Sequence, residues 1–154
     1  MPGWCDIAVY TIFYMDSLCS SRFRKRSLAL ISKLLWIGFA GALGTLARYG
    51  LAGFVQRLTP VGFPWGTFVV NVTGCFLFGF IWMLTAERFI IDPQIRVVVL
   101  TGFMGAFTTF STYIFETGQL TRDTEWFSAF GNVAGQTVIG FAALFIGFTI
   151  ARLL

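Results

Sequence analysis

The residues best suited to chemistry in this chain are the glycines, hydroxyl side chains and phenylalanines between Gly102 and Thr112. Glycine and β-branched threonine are poor helix formers, and hydroxyl side chains compete for the backbone hydrogen bonds of a helix. The positions that weaken a helix are Gly102, Gly105, Thr108, Thr109, Ser111 and Thr112. A break here would free carbonyl oxygens for a cation and N–H or hydroxyl groups for an anion. Phe110 adds an electropositive ring edge that an anion can contact.

Side chains suited to catalysis are scarce. The chain has no histidine, and its cysteines, Cys5, Cys19 and Cys75, lack the spacing of a metal or redox motif. Of the acidic residues, Glu116 alone approaches membrane depth. The net charge of +4 comes from arginines that flank apolar runs, where they anchor helices at the membrane interface. We therefore expect no enzyme and no nucleic-acid partner.

Two further apolar stretches carry polar side chains at helical spacing. They are Thr67, Asn71 and Gly74 in one stretch, and Asn132, Gln136 and Gly140 in the other. Amides within membranes commonly hold helices together, and the same N–H groups can donate to a passing anion. Each stretch therefore predicts a polar face that either packs helices or lines an ion path.

Arg48 lies inside an apolar run, where a charge is costly unless water, a partner or lipid headgroups reach it. One interpretation is that its side chain extends to the nearer interface. The other is a fixed positive charge at the mouth of an anion path. Both place it near a membrane face.

The elements that must position these residues are membrane helices. The composition is 56% hydrophobic and 12% charged, with a mean hydropathy of +0.78, and each long apolar run is close to the roughly 20 residues that a spanning helix needs. The runs are Leu34 to Val55, Trp65 to Ala86, Val97 to Phe115 and Trp126 to Ala151. Asp92 and Pro93 read as an N-cap and first residue of the third helix. We predict an all-α integral membrane protein with four transmembrane helices, the third broken near its centre.

Residues 1–33 form a basic N-terminal tail outside the predicted channel domain of residues 34–154. It is a disordered or interfacial segment, or the product of a start codon assigned too early. With Arg22, Arg24, Lys25 and Arg26 counted, the positive-inside rule places both termini in the cytoplasm. Without them the bias is weak, and insertion in either orientation is expected.

Three ordered motifs resemble the Fluc or CrcB family of small fluoride channels. They are Gly41 to Arg48 (GALGTLAR), Gly66 to Asn71 (GTFVVN) with Gly74, and Gly102 to Thr112 (GFMGAFTTFST). The resemblance covers about Leu34 to Leu154, and its third motif is the most specific.

The resemblance implies an antiparallel homodimer with two pores in the cell inner membrane. It also implies a structural sodium ion between subunits, held by backbone carbonyls of Gly105 and Thr108. Asn71 and Thr67 would line the fluoride path, Phe110 and Tyr113 would form an aromatic box, and Ser111 and Thr112 would supply hydroxyls. The polar track would continue on the last helix with Asn132 and Gln136. Relatives often carry a tyrosine or asparagine and then serines at the positions of Asn132, Gln136 and Gly140, so the last position of the track has no side chain here. Tyr113 stands where relatives usually have phenylalanine.

The expected function is passive export of cytoplasmic fluoride. A proton-coupled small multidrug exporter is an alternative, although its first helix would need a carboxylate and this first span has Arg48. A non-transporting assembly subunit, in which glycines and asparagines only pack, is another. An oppositely oriented paralogue would replace the homodimer if the tail fixes one orientation.

Overall fold

The computed structural model describes the backbone of residues 4–87 and 92–154 and the side chains of residues 27–85 and 92–154. Six α-helices lie in these ranges: α1 (Trp4–Leu58), α2 (Trp65–Trp82), α3 (Pro93–Val97), α4 (Gly105–Phe107), α5 (Phe110–Arg122) and α6 (Trp126–Leu153). Wider π-helical turns follow α2 at Met83–Glu87 and join α3 to α4 at Val98–Met104.

Four helical stretches are long and apolar enough to cross a membrane. They are Ser27–Leu58, Trp65–Thr85, Pro93–Arg122 and Trp126–Leu153. The third is assembled from α3, α4 and α5 with the π-helical turn between α3 and α4. The predicted all-α class with four membrane helices is therefore confirmed.

The chain divides into a short unit that ends at Leu35 and a larger unit, Trp36–Leu154. The helix that contains the first span begins at Trp4, well before the predicted Leu34. The basic side chains from Arg22 to Arg26 lie outside the described residues. The larger unit holds every residue of the candidate site described below.

The third span begins as the sequence predicts. The Asp92 carboxylate accepts a hydrogen bond from the Gln94 N–H at 2.7 Å, and Pro93 is the first helical residue. Proline suits this position because the first N–H groups of a helix have no partner within it. This N-cap is confirmed.

The predicted break of the third span lies at Thr108 and Thr109. Thr108 has φ −81° and ψ 156°, and Thr109 has φ −146° and ψ 113°, so both residues are extended between α4 and α5. The break is confirmed, and it falls among the hydroxyl residues that the sequence singles out.

Close packing surrounds the break. A buried cluster of Val70, Leu100, Met104 and Phe107 joins α2 to the first half of the third span. Gly147 of α6 lies against the Phe76 carbonyl of α2, where a Cβ atom would clash with backbone. Helices that approach this closely in a membrane are held by dispersion contacts that a larger side chain would prevent.

Candidate functional site

The break is closed by one side chain from another helix. Asn71 of α2 accepts a hydrogen bond from the Thr109 N–H at 2.9 Å through its Oδ1 atom. Its Nδ2 atom donates to the Thr109 carbonyl at 3.1 Å. The amide thus pairs with both backbone polar groups of a residue that has left the helix. Backbone groups away from water need such partners, because each unpaired one costs several kcal/mol in hydrocarbon.

At the break, two N–H donors that a continuous helix would use for its own backbone bonds have other acceptors. In an α-helix the Thr109 N–H would bond to the Gly105 carbonyl, and the Thr112 N–H to the Thr108 carbonyl. Here the Thr109 N–H is directed to Asn71, and the Thr112 N–H to the Thr109 hydroxyl at 3.3 Å. The carbonyls of Gly105 and Thr108 therefore lose these helical donors. Oxygen ligands of this kind suit a hard cation, so the predicted pair fits a sodium ion.

The Thr109 side chain begins the second half of the span. Its hydroxyl caps α5 by accepting from the Thr112 N–H and donates to the Thr112 hydroxyl at 2.9 Å. The Ser111 hydroxyl oxygen lies 3.5 Å from the Thr109 hydroxyl oxygen. Ser111 and Thr112 therefore stand with Thr109 in one hydroxyl cluster at the start of α5.

A groove of about 460 Å³ runs beside the break, and we call it the Asn71 groove. Its lining includes Asn71, Thr108, Thr109, Phe110, Tyr113 and Gln136. The Phe110 side chain is 75% exposed, whereas that of Tyr113 is only 9% exposed. Their ring centroids are 5.6 Å apart with an interplanar angle of 54°, so the two rings are in contact and tilted against each other.

A chain of side-chain hydrogen bonds leads away from Asn71 along α6. Asn71 Nδ2 donates to Gln136 Oε1 at 2.7 Å, and Gln136 Nε2 donates to Asn132 Oδ1 at 2.9 Å. Asn132, which is fully buried, donates to the Thr117 hydroxyl at 2.8 Å. Thr117 in turn donates to the Tyr113 carbonyl. Asn71 of α2 is therefore joined to the predicted polar residues of α6, Gln136 and Asn132, in one network.

A second hollow of about 650 Å³, which we call the Arg48 cavity, lies on the other side of Thr109. Its lining includes Arg48, Arg57, Thr67, Thr109, Thr112 and Glu116. Thr67 donates to Glu116 Oε1 at 2.8 Å, and Glu116 Oε2 is buried without a protein partner. Two guanidinium groups and one carboxylate therefore share a single hollow.

The structure thus places most of the sequence-predicted residues in one of two hollows, whereas Gly105, Ser111 and Asn132 line neither. The Asn71 groove contains Asn71, Phe110, Tyr113 and Gln136, and the Arg48 cavity contains Arg48, Thr67 and Thr112. Thr109 lines both hollows and is the residue at which they meet.

Three polar residues outside the predicted set also take part. Thr109 carries the capped peptide, Thr117 continues the hydrogen-bond chain, and Glu116 binds Thr67. The sequence offered a signal for Glu116, since it is the acidic residue nearest membrane depth. Thr109 is one of the positions that weaken the third helix, but no sequence signal marks it as the partner of Asn71, and none separates Thr117 from the other threonines.

Comparison with known proteins gives a family and named relatives. Residues 35–148 match the family model described as CrcB-like protein, Camphor Resistance (CrcB). A protein of Nitrosococcus oceani named fluoride-specific ion channel FluC is 57% identical over 122 residues, covering 79% of this chain and 98% of its own length. A protein of the same name from Solidesulfovibrio magneticus is 53% identical over 125 residues, covering 81% of this chain and 100% of its own. The chain belongs to the CrcB family.

Proposed function

We propose that this chain forms a fluoride-specific ion channel. The observation that carries the proposal is the helix break closed by Asn71, with the Phe110 ring exposed beside it in the Asn71 groove. Membership of a family whose similar members are named as fluoride channels supports it. Purified protein in liposomes should release fluoride down its gradient. Liposomes that retain fluoride as well as protein-free ones would rule the function out.

The chemistry of fluoride explains why such a site suits it. Fluoride is small and strongly hydrated, so a path must replace its water with N–H, O–H and ring-edge donors. The proposed path uses Thr67, Asn71, Phe110, Ser111, Thr112, Tyr113, Asn132 and Gln136. Arg48 supplies a positive charge at the mouth. Passive flow suffices for export, because an inside-negative potential favours anion exit by about 2.3 kcal/mol per charge per 100 mV.

A structural sodium ion is part of the proposal. The carbonyls of Gly105 and Thr108 would hold it, and the diversion of their helical donors supports this assignment. Within residues 27–85 and 92–154 no cluster of three or more histidine, cysteine or acidic side chains forms a metal site. A bound cation would brace the two halves of the third span where their backbone bonds are interrupted.

The proposed assembly is an antiparallel homodimer with two pores in the cell inner membrane. The sodium ion would lie between the subunits. A heterodimer with an oppositely oriented paralogue would serve equally if the N-terminal tail fixes a single orientation. In either assembly the chain acts without enzymatic chemistry.

A proton-coupled exporter is the second candidate, and Glu116 is the observation that favours it. Its carboxylate has one buried oxygen without a protein partner in the Arg48 cavity. A hydrophobic cation driven by a proton gradient would be its substrate. Uptake of such a cation into acid-loaded vesicles, together with absence of fluoride flux, would replace the channel by this function.

A further inference from the structure

Gln136 of α6 is hydrogen-bonded to Asn71, the side chain that closes the helix break. Its Oε1 atom accepts the Asn71 amide at 2.7 Å, the shortest of the bonds that Asn71 makes. An asparagine side chain has two N–H hydrogens and one carbonyl oxygen. The two hydrogens are directed to the Thr109 carbonyl and to Gln136, and the oxygen accepts from the Thr109 N–H.

The groups at the two ends of this network determine which atom donates and which accepts in every hydrogen bond. The Thr109 N–H can only donate, so it requires the oxygen of Asn71 on its side. At the far end the Tyr113 carbonyl can only accept, so Thr117 donates to it and accepts from Asn132. The Asn132 oxygen then accepts from Gln136, whose own oxygen is left to face Asn71.

The side-chain amides at positions 136 and 71 therefore have one consistent arrangement. If the Asn71 amide turned over, its NH₂ group would face the Thr109 N–H, and its oxygen would face the Gln136 oxygen. Both contacts would be repulsive. The Gln136 end of the network thus opposes the same rotation that would release the Thr109 peptide.

We propose that Gln136 is a positioning residue that holds the Asn71 amide in the orientation that closes the break at Thr109. This inference rests on the proposed function for its consequence in fluoride conduction, but the positioning itself does not depend on which ion passes. It gives α6 a role in shaping the third span, and that role depends on the Gln136 side chain.

Hydrogen–deuterium exchange in the reconstituted full chain tests the positioning directly. The Gln136→Met variant keeps a similar length and removes both hydrogen bonds. Amide exchange in the segment from Thr108 to Thr112 should then rise about fivefold, the factor expected for loss of one neutral hydrogen bond. The control is Thr149→Val, which removes a hydroxyl farther along α6 that bonds within its own helix, to the Phe145 carbonyl, and lies outside the lining of the Asn71 groove. The control should exchange as the wild type does.

A second variant guards against a general loss of structure. In its protonated form, which burial within the membrane favours, the Gln136→Glu side chain keeps a carbonyl oxygen that accepts from Asn71 and an O–H that donates to the Asn132 oxygen. Exchange near Thr109 should therefore stay close to that of the wild type. If Gln136→Glu exchanges as fast as Gln136→Met, or if Gln136→Met exchanges as slowly as the wild type, the proposal is wrong.

Fluoride efflux from the same preparations tests the consequence. Gln136→Met should lower the flux about fivefold, while Thr149→Val leaves it unchanged. Unchanged flux in Gln136→Met, with an active wild type, would also overturn the proposal. A wild type that passes no fluoride would instead refute the channel function, and the exchange data would still decide whether Gln136 positions Asn71.

Discussion

Asn71, Thr109 and Gln136 are joined by hydrogen bonds at the break, and two aromatic rings lie beside these side chains. Phe110 is largely exposed and Tyr113 is buried, yet both line the Asn71 groove. An aromatic ring attracts an anion through its electropositive edge, and a phenolic hydroxyl is not needed for that contact. The contributions of the ring and of the hydroxyl at Tyr113 can therefore be tested separately.

Replacing Tyr113 by phenylalanine tests this separation. We expect Tyr113→Phe to change fluoride flux by no more than about twofold, because the ring edge stays in place. Phe110→Leu should reduce the flux by at least about tenfold, because an aliphatic chain offers no such edge. Efflux from liposomes measures both. A loss in Tyr113→Phe as large as that in Phe110→Leu would mean that the hydroxyl takes part.

Thr67 provides the second test at this scale. Thr67→Val removes the donor to Glu116 Oε1 at nearly constant volume. A partly buried acceptor left without its donor costs about 1–3 kcal/mol, so the unfolding free energy in detergent should fall by that amount. Thr67→Ser keeps the hydroxyl and is the matched control. Equal stability of the valine variant and the wild type would show that water replaces the donor.

The third span is a helix only in its two halves, and the contact between α2 and Thr108 helps to fix where the halves part. Gly74 lies directly against the Thr108 methyl group, so a Cβ atom at position 74 would clash with it. The Thr108 hydroxyl meanwhile bonds to the Met104 carbonyl at 3.1 Å. The α2 backbone at Gly74 and the Met104 carbonyl thus both restrain the extended residue Thr108.

Gly74→Ala should therefore displace the break. We expect fluoride flux to fall by at least about tenfold, because close-packed interiors yield little to an added methyl group. Adding Thr108→Ser should restore much of the flux, since serine lacks the clashing methyl and keeps the hydroxyl. Thr108→Ser alone is the control. Failure of the double variant to recover would place the fault elsewhere than in this contact.

The break could be predicted from sequence because its cause is local, whereas the contacts that close it are distant. Glycines and hydroxyl residues from Gly102 to Thr112 weaken any helix in which they occur. The partner of Thr109, however, lies 38 residues away, and Asn71 and Gln136 are separated by 65. Spacing within α2 showed that Asn71 lies on a polar face but could not show which backbone group it meets.

At the scale of the whole molecule, two proposed features concern assembly. The first is a sodium ion that joins subunits. The second is the orientation in which each subunit is inserted. The two are linked, because an antiparallel homodimer needs copies of both orientations.

Removal of sodium tests the first feature. Reconstitution and assay with N-methyl-D-glucamine in place of sodium should lower fluoride flux and the thermal stability of the proposed dimer, because the carbonyls of Gly105 and Thr108 would lose the ion that they are proposed to bind. Returning sodium should restore both properties. Flux and stability that do not respond to sodium would remove the ion from the proposal.

Reporter fusions test the second feature. With the positive-inside rule acting on the full chain, a C-terminal reporter should signal from the cytoplasm alone. Replacing Arg22, Arg24, Lys25 and Arg26 by serine should give signals from both sides of the membrane. The family match begins only at residue 35, so these basic residues lie outside the region shared with the family. Signals from both sides in the unaltered chain would show that the tail does not set orientation.

The support of Thr109 by α2 and α6 has a consequence for biogenesis. Asn71 precedes the third span in the chain, but Gln136 leaves the ribosome only after it. A third span inserted before α6 would meet Asn71 of α2 without the Gln136 partner that holds the Asn71 amide. We expect a nascent chain halted before Trp126 to hold the break loosely, detectable as faster exchange at Thr112 than in the full chain. The pore would then be completed by the last helix to arrive, after the membrane has already accepted the other three.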